Sequence, residues 1–258
     1  MLLAFDIGNT NIVVGGFKGT TLLGEFRLKT DHGRTIDEYE AILLTLFRQH
    51  LGENFSVDAA IICSVVPPIT PEIVRVVEER LHVKAHVIGP GTKTGLPIKI
   101  AEPTSLGADR VVNAVAAKTL FGCPALVVDF GTATSFDYVG PKGAFEGGVI
   151  APGVLTSLEG LVRNTAKLPR IELTWPSSLI GKSTVAAMQV GSVMGYHYLI
   201  DGLIGGIIEE VGEIPHIVAT GGLGGIFTQH SKRIKAYDPQ LTLKGMRLIA
   251  AQNGLVEK

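Results

Sequence analysis

Two segments of the chain share one pattern, in which an apolar run is followed by Asp, any residue, Gly and then Asn or Thr. The first copy is Asp6–Thr10 (DIGNT), after the apolar run Leu2–Phe5, and the second is Asp129–Thr134 (DFGTAT), after Leu126–Val128. Such a run is typical of a buried strand, and the Gly lets the backbone turn sharply and approach a ligand. Hydroxyl, amide and backbone N–H groups beside the Gly are able to hold phosphate oxygens. Because one copy opens each half of the chain, the pair predicts a duplicated nucleotide-binding fold with a phosphate chain between the halves.

Composition and charge argue against several classes of protein. With 46% hydrophobic and 18% charged residues among 258, the chain is expected to form one large or two small globular domains. The formal net charge of -1, without a long basic run, argues against a nucleic-acid-binding surface. Cys63 and Cys123 lie far apart and lack metal-ligand spacing, so we expect no disulfide framework and a cytoplasmic location. The N-terminus runs straight into a predicted strand, which is not the pattern of a signal peptide.

One apolar stretch, Val190–Ile208, is long enough to resemble a membrane span. It contains His197 and Asp201, and a carboxylate at the centre of a bilayer is unfavourable. We therefore expect a buried, closely packed helix of a water-soluble domain, and no membrane partner.

The order of predicted elements is the same in the two halves, 1–118 and 119–258, which supports an internal duplication. A capping box of Thr35 and Glu38 marks the first helix, Thr104 or Ser105 is the expected N-cap of the last helix of the first half, and Gly122 ends it. The predicted strands are 2–5, 12–17, 21–28, 59–66, 83–88, 125–129, 135–139, 144–150 and 217–220. The predicted helices follow Thr35 and cover about 71–81, 106–121, 184–212 and 243–252.

The two Asp turns contain no Lys or Arg, so a bound triphosphate would face the carboxylates of Asp6 and Asp129 without a protein cation. Two like charges about 4 Å apart repel by about 4 kcal/mol at an intermediate effective dielectric constant. Metal ions must therefore separate the acids from the phosphates, and Mg²⁺ suits a shell of water, one carboxylate and phosphate oxygens. The alternative is that each Asp only caps its turn.

A second candidate site is Gly107–Arg110 (GADR), at the start of a predicted helix. The positive end of the helix dipole favours the ionised form of Asp109, which can then accept a proton from a substrate hydroxyl. The planar fork of Arg110 is suited to a substrate or phosphate oxygen. Because Asp is common in a first helical turn, a purely structural role remains the alternative.

Two glycine-containing segments of the second half have weaker signals. Gly181–Thr184 (GKST) ends like a P-loop, but Pro176 stands where a P-loop requires Gly, so we reject that interpretation. Thr184 is expected either to line a pocket or to cap a helix. Gly221–Gly225 (GGLGG) follows a predicted strand and would let a flat group such as adenine approach the backbone.

Taken together, segments along nearly the whole chain resemble the type III pantothenate kinase family, which belongs to the acetate and sugar kinase, heat-shock ATPase and actin superfamily. The Asp turns are typical of the superfamily, whereas Gly107–Arg110 combined with the later segments is more specific. The matching segments are Asp6–Asn11, Thr35–Tyr39, Gly107–Ala114, Asp129–Thr134, Gly147–Gly153, Gly181–Thr184, Val218–Leu223 and Asp238–Leu243.

The resemblance implies an α/β fold of two ribonuclease H-like (actin-like ATPase) domains with a cleft between them. It implies transfer of phosphate from ATP to the primary hydroxyl of pantothenate, the first step towards coenzyme A. By matching positions, Asp109 would accept the proton, Asp129 would ligate a monovalent cation (K⁺ or NH₄⁺), Thr132 would touch ATP, and Asp6 would lie beside the Mg²⁺-bound phosphates. The ATP-phosphate loop would comprise Asp6, Ile7, Gly8, Asn9, Thr10, Asn11, Ile12 and Val13. Pantothenate would contact Gly107, Ala108, Asp109, Arg110 and Thr184.

One position departs from the family pattern. Many members have a Tyr before the GADR segment that touches the substrate, and Ile100 stands at that position here. The departure concerns substrate contact and leaves the phosphate-binding residues unchanged.

The long helix carries Gly191 and Gly195 one turn apart, which allows close approach of another helix. With the dimeric habit of the family, this favours a homodimer over packing within one chain. Two other functions remain open: a superfamily kinase acting on a sugar or carboxylate, and a non-catalytic regulator. The GADR segment argues against the first, and the presence of Asp6, Asp109 and Asp129 argues against the second.

Overall fold

The chain forms two compact units in the computed structural model, which describes residues 1–53 and 55–257. The first unit comprises Met1–Thr119 with Leu241–Lys258, and the second comprises Leu120–Gln240. The sequence-based division, 119–258 for the second half, is therefore wrong at its C-terminal end. The last helix packs against three strands of the first unit, a long-range contact that the order of elements does not reveal.

The sheet of the first unit has five strands in the order β3-β2-β1-β4-β5. β1 pairs antiparallel with β2 and parallel with β4, which in turn pairs parallel with β5. The strands are β1 (Leu2–Ile7), β2 (Asn11–Lys18), β3 (Thr21–Lys29), β4 (Ala59–Ser64) and β5 (Ala85–Val87). Parallel β1 and β4 end at the same edge of the sheet, and Asp6 lies near that edge.

The sheet of the second unit repeats this arrangement, with the order β8-β7-β6-β9-β10. The strands are β6 (Ala125–Phe130), β7 (Ala133–Val139), β8 (Phe145–Pro152), β9 (His216–Thr220) and β10 (Ala236–Tyr237). Asp129 on β6 is the register partner of Thr220 on parallel β9, as Asp6 is of Cys63 on β4. The same strand order and the same placement of the two acids confirm the duplication.

The helices of the first unit are α1, α2, α3 and α8, and those of the second are α4 to α7. Two of the helical segments continue into a π-helical turn. The bounds are α1 (Ile36–Leu51), α2 (Thr70–Arg75, then a π-turn at Val76–Arg80), α3 (Ala108–Leu120), α4 (Val154–Arg163), α5 (Thr184–Gln189, then a π-turn at Val190–Gly195), α6 (Tyr196–Val211), α7 (Gly224–Thr228) and α8 (Leu241–Gln252).

The predicted first helix and its capping box are confirmed. The Thr35 side chain accepts from the backbone N–H of Glu38, whose carboxylate accepts from the Thr35 N–H, completing the capping box. Tyr39, Leu43 and Phe47 on the inner face of α1 are fully buried in the core of the first unit. Each large side chain buried in this way stabilises the fold by about 1.5–3 kcal/mol.

The predicted N-cap of α3 is wrong. Thr104 and Ser105 lie in a separate 3₁₀ turn, Pro103–Ser105, where the Ser105 hydroxyl donates to the carbonyl of Glu102 (2.7 Å). This local bond holds the hydroxyl away from the helix, which begins at Ala108. The predicted stop at Gly122 is confirmed by its φ of +101°.

The apolar stretch Val190–Ile208 begins in the π-turn and continues through most of α6. Val193, Ile200 and Ile204 are buried in the core of the second unit, whereas Gly191 and Gly195 are exposed. The segment therefore differs from the expected fully buried helix, because only one face packs on the sheet. Among the described residues, no helix is both long and apolar enough to cross a membrane.

Candidate active site

The first Asp turn connects β1 to β2 and is held by hydrogen bonds from Thr30, the residue that follows β3. The buried Thr30 donates its hydroxyl to the carbonyl of Gly8 (2.6 Å), and its N–H to the carbonyl of Thr10 (3.0 Å). Gly8 N–H also bonds to the carbonyl of Asn11 (3.0 Å). Sequence reasoning missed Thr30, since nothing in the local pattern of a strand end indicates which turn it will reach.

The residues of this turn differ in what they can offer a ligand. Ile7 and Ile12 are fully buried, so only their backbone could contribute to a phosphate site. Asn9 and Thr10 are exposed at the tip. In the eight-residue loop assigned to the ATP phosphates by resemblance, the side chains of Ile7 and Ile12 therefore anchor the loop in the core, and Asn9 and Thr10 form its polar tip.

Asp6 on β1 and Cys63 on β4 are register partners near the carboxyl ends of these strands, and Asp109 lies within electrostatic range of Cys63. Burial raises the pKa of the Cys63 thiol well above its usual value, and the nearby carboxylates of Asp6 and Asp109 raise that pKa further. Asp6 and Asp109 are separated by about a hundred residues, yet both act on one buried thiol. The structure therefore places these two predicted site residues around the same point of the first unit.

Asp109 lies in the first turn of α3 and is partly buried. One carboxylate oxygen accepts from the backbone N–H of Arg110 (2.8 Å), and the N–H of Val111 bonds to the carbonyl of Gly107 (3.2 Å). This hydrogen bond fixes the orientation of the carboxylate at the start of the helix. The carboxylate can act chemically as an acceptor for the proton of a hydroxyl group.

Helix α8 supports α3 from within the same unit. The Thr242 hydroxyl donates to the side-chain oxygen of the buried Asn113 (2.8 Å). This contact joins residues 129 positions apart in the sequence. It is one of the contacts that hold the C-terminal helix in the unit that carries Asp109, beside its packing against the strands.

The second Asp turn, between β6 and β7, is held by the N-terminal end of α4. The carbonyl of Thr132 accepts from the N–H of Gly153 (3.2 Å) and from the Thr156 hydroxyl (2.7 Å). A Cβ at position 153 would collide with the backbone oxygen of Thr132, so this approach requires Gly. Sequence reasoning missed both α4 and its contact with the turn, although the Gly147–Gly153 segment was noted.

Asp129 lies beside the first residue of the glycine-rich turn that follows β9. Gly221 has φ of +86°, and a Cβ there would lie 2.6 Å from a carboxylate oxygen of Asp129 and 2.6 Å from the carbonyl oxygen of Phe130. The carboxylate and backbone oxygens are hard donors, which suit alkali and alkaline-earth cations. No cluster of three or more His, Cys, Asp or Glu side chains able to hold a metal occurs within residues 1–53 and 55–257.

A pocket of about 350 Å³ opens beside the same glycine-rich turn, wholly within the second unit. The Trp175 ring stacks on His230, with ring centroids 3.5 Å apart and planes 12° apart. The edge of His197 contacts Trp175 from another direction, at 5.4 Å and 75°. The lining residues are Leu173, Trp175, Gly222, Gly225, Ile226, Gln229 and His230. The aromatic wall and the two glycines could hold a flat group. Sequence reasoning did not identify Trp175 as a site residue, because a single Trp in a sequence does not indicate what it will contact.

Thr184 is the first residue of α5 and is exposed, and Ser183 before it is the N-cap, accepting from the N–H of Ala186 (3.2 Å). Of the two roles considered for Thr184, the cap is therefore wrong, and Thr184 lines a second pocket of about 420 Å³. That pocket is mainly apolar, with Leu161, Leu168 and Met188 in its wall. Thr184 belongs to the second unit, whereas Gly107–Arg110 and the partly buried Ile100 belong to the first.

Comparison with known proteins agrees with this arrangement of strands and acids. The model of the type III pantothenate kinase family matches residues 2–205. A curated type III pantothenate kinase of Brevibacillus brevis is 47% identical over 254 residues, which cover 98% of this chain and 99% of the relative.

Two solved structures share the fold at low sequence identity. A Campylobacter jejuni protein described as a Baf family transcriptional activator has a TM-score of 0.60 at 19% identity, covering 98% of this chain and all of its own. A hexokinase of the ROK type from Thermus thermophilus has a TM-score of 0.50 at 12% identity, covering 98% of each chain. These likenesses show an actin-like fold of two α/β units. From the family match and the full-length relatives, the chain belongs to the type III pantothenate kinase family.

Proposed function

We propose that this chain transfers the γ-phosphoryl group of ATP to the primary hydroxyl of pantothenate, giving 4'-phosphopantothenate, the first step of coenzyme A biosynthesis. The observation that carries the proposal is that Asp6 is the register partner of Cys63 on β4, while Asp109 lies close enough to help raise the pKa of the same buried thiol. An acid of the Asp–x–Gly turn and an acid at a helix N-terminus are then both available to one reaction centre. Family membership implies a kinase that uses ATP with a divalent metal ion.

The first Asp turn is the proposed ATP-phosphate loop. Asn9 and Thr10 supply its exposed polar tip, and the anchoring by Thr30 holds it in shape. Asp6 is a single partly buried carboxylate, which fits Mg²⁺ because that ion is usually bound by one or two carboxylates together with substrate phosphates and water. Bound with ATP, the metal would neutralise phosphate charge.

Asp109 is the proposed proton acceptor. The pantothenate oxygen forms a bond to the γ-phosphorus, the bond from that phosphorus to the bridging oxygen of ADP breaks, and the hydroxyl proton passes to the Asp109 carboxylate. Phosphoryl transfer depends mainly on positioning and charge neutralisation. The backbone bond from Arg110 keeps the carboxylate in one orientation, which serves that requirement.

The remaining family assignments are proposed on the same basis. Gly107–Arg110 and Thr184 would contact pantothenate, and Ile100 would replace an aromatic contact with an aliphatic one. Thr132 would contact ATP. Asp129, with the neighbouring carbonyl of Phe130, offers oxygen donors that fit K⁺ or NH₄⁺.

The pocket beside Gly222 and Gly225 is the proposed adenine site. Trp175 and His230 form a flat aromatic wall, and aromatic rings stack favourably with other π systems. The absence of side chains on the two glycines leaves their backbone accessible to a planar base.

A homodimer is proposed from the outer face of the π-turn and α6. Gly191, Gly195, Tyr198, Leu199 and Gly202 are all exposed along this face, and Tyr198 is 59% exposed. An apolar, glycine-lined helix face of this kind suits close packing against a second copy. The fully buried Cys63 forms no disulfide, which supports the cytoplasm as the location.

The deciding experiment is a coupled assay of ADP release with pantothenate, a hexose or acetate as acceptor, each with and without K⁺. We expect ADP release with pantothenate only, and a higher rate with K⁺. Release with a sugar or with acetate instead would assign a different kinase activity, and no release with any acceptor would favour a non-catalytic regulator.

A further inference from the structure

The hydroxyl of Tyr196 joins two strands of the second unit next to the second Asp turn. It lies 2.6 Å from the hydroxyl of Thr134 and donates to the carbonyl of Pro152 at 3.0 Å. Because the Tyr196 proton is used towards Pro152, the Thr134 hydroxyl must be the donor in the other bond. Tyr196 is 6% exposed and Thr134 is 1% exposed, so the bond between them is buried, whereas the bond to the exposed Pro152 is partly buried.

Both bonded partners belong to the frame that holds Thr132. Thr134 is the register partner of Phe130 and closes the β6–β7 turn. Pro152 ends β8 directly before Gly153, whose N–H bonds to the carbonyl of Thr132, as does the hydroxyl of Thr156. The Tyr196 hydroxyl therefore connects Thr134, at the end of the second Asp turn, to Pro152, which precedes the Gly153 that bonds to Thr132.

The position of Tyr196 depends on an unusual helix. It is the first residue of α6, immediately after the π-turn Val190–Gly195. A π-turn contains more residues than an α-helical turn, so it changes the direction in which later side chains point, and such turns are frequent at functional sites. The Tyr196 ring packs on Phe227 (centroids 5.3 Å apart), which fixes it in the core. Burial raises the pKa of the Tyr196 hydroxyl, so it keeps its proton at neutral pH.

We propose that Tyr196 is a positioning residue for phosphoryl transfer, whose hydroxyl holds the Gly131–Thr134 turn in the geometry that contacts ATP and the cation beside Asp129. The inference rests on the proposed roles of Thr132 and Asp129. Tyr196 itself touches neither reactant. Because Tyr196 acts through the turn, removing its hydroxyl should change the KM for ATP and the dependence on K⁺, and should leave the KM for pantothenate nearly unchanged.

The test is Tyr196→Phe, which removes one oxygen atom and keeps the buried ring. The change leaves the Thr134 hydroxyl and the Pro152 carbonyl without this partner and loosens the turn, so the KM for ATP and the half-activating K⁺ concentration should each rise about tenfold. The KM for pantothenate should stay within about twofold of the wild-type value. Tyr138→Phe is the matched control, since Tyr138 lies on the same strand as Thr134 and is similarly buried at 8% exposure.

A second pair of variants keeps the test independent of the folding of Tyr196→Phe. Thr134→Val should reproduce the rise in the KM for ATP, and Thr134→Ser, which keeps the hydroxyl, should remain much closer to wild type. The double variant Tyr196→Phe/Thr134→Val should behave like Tyr196→Phe alone, because Tyr196→Phe already removes the bond to Thr134.

Two outcomes would overturn the inference: a KM for ATP in Tyr196→Phe equal to that of Tyr138→Phe, or Thr134→Ser and Thr134→Val behaving alike. An equal rise in the KM for pantothenate would also contradict it, because that pattern indicates general loosening. Asp129→Asn separates this result from failure of the proposed function. If that variant changes K⁺ activation while Tyr196→Phe does not, the cation role stands and the positioning role fails.

Discussion

Asp6 and Cys63 are register partners on the adjacent parallel strands β1 and β4, so a carboxylate of the first Asp turn lies next to a fully buried thiol. Burial, followed by the charges of Asp6 and Asp109, raises the pKa of that thiol. The thiol therefore stays neutral and adds no third negative charge where the phosphates of ATP are proposed to bind.

This raised pKa predicts a loss of stability in mildly alkaline solution. The thiol of the unfolded chain ionises above about pH 8.5, whereas the folded thiol keeps its proton, so the unfolded state binds fewer protons. The free energy of unfolding should therefore fall as the pH rises, by up to about 1.4 kcal/mol per pH unit from this group. Urea unfolding between pH 8 and 10 measures the slope.

Cys63→Ala is the control for this effect, since alanine does not titrate. Tyr138 and Tyr196 also have raised pKa values, but their unfolded forms ionise only near pH 10, above most of that window. Identical slopes for the wild type and Cys63→Ala would contradict the prediction.

Replacement of Asp109 by Asn should abolish most of the turnover and leave ATP binding intact. The amide keeps the shape and can still accept from the Arg110 N–H, but it cannot take a proton. Loss of a general base typically lowers the rate by about 100- to 10,000-fold. Steady-state kinetics and nucleotide titration measure the two effects.

Asp37→Asn is the matched control, because Asp37 also lies in the first turn of a helix and is exposed. It should keep wild-type turnover. Wild-type-like turnover in Asp109→Asn would remove Asp109 from the mechanism and leave it as an ordinary first-turn acid.

Gly221→Ala should raise the K⁺ concentration needed for half-maximal activity. Its Cβ would fall 2.6 Å from the Asp129 carboxylate and displace the proposed cation ligand. Gly212→Ala is the control, since Gly212 has a similar φ of +90° but nothing within 4 Å of its Cβ position. Both variants carry the strain of a positive φ, which is about 1 kcal/mol or more for alanine. The difference between them therefore reports on the clash with the Asp129 carboxylate and the Phe130 carbonyl, the two proposed cation ligands. Equal K⁺ curves for the two variants would count against this cation site.

Trp175 is the only tryptophan of the sequence, and it lines the proposed adenine pocket. Nucleotide binding should therefore change its fluorescence, and pantothenate alone should not. Trp175→Leu should raise the KM for ATP by about 5- to 150-fold, from a stacking contribution of about 1–3 kcal/mol, with little change in the KM for pantothenate. Fluorescence that is insensitive to ATP would place the base elsewhere.

A charged substitution on the exposed face of α6 should disrupt the proposed dimer. Leu199→Asp should convert the proposed dimer to a monomer, because an unpaired carboxylate in an apolar interface is unfavourable. Val211→Asp is the control: Val211 is 39% exposed, similar to Leu199 at 40%, and lies about 120° around the helix at 100° per residue. Light scattering at micromolar protein measures the mass, and a monomeric wild type would refute the dimer.

Local patterns in the sequence were enough to predict the strands and helices that carry the acids of the site, although α4 was missed. Alternating and continuous apolar runs placed the strands, the Thr35–Glu38 capping box placed α1, and the two Asp–x–Gly turns identified the duplication. These predictions succeeded because each depends on residues a few positions apart, whose backbone preferences and hydrogen bonds act locally. The N-cap prediction for α3 was wrong because a different local hydrogen bond, from the Ser105 hydroxyl to the carbonyl of Glu102, forms instead.

The sequence alone determined the two acid-bearing turns, the helix that begins beside Asp109, and the family to which they belong. Only the tertiary structure decided that α8 joins the first unit, that Thr30 and Gly153 fasten the turns, that Cys63 lies against two acids, and that Trp175 faces the glycine-rich turn. Those features arise from packing between residues far apart in the chain, where shape and burial select partners that short-range patterns do not encode.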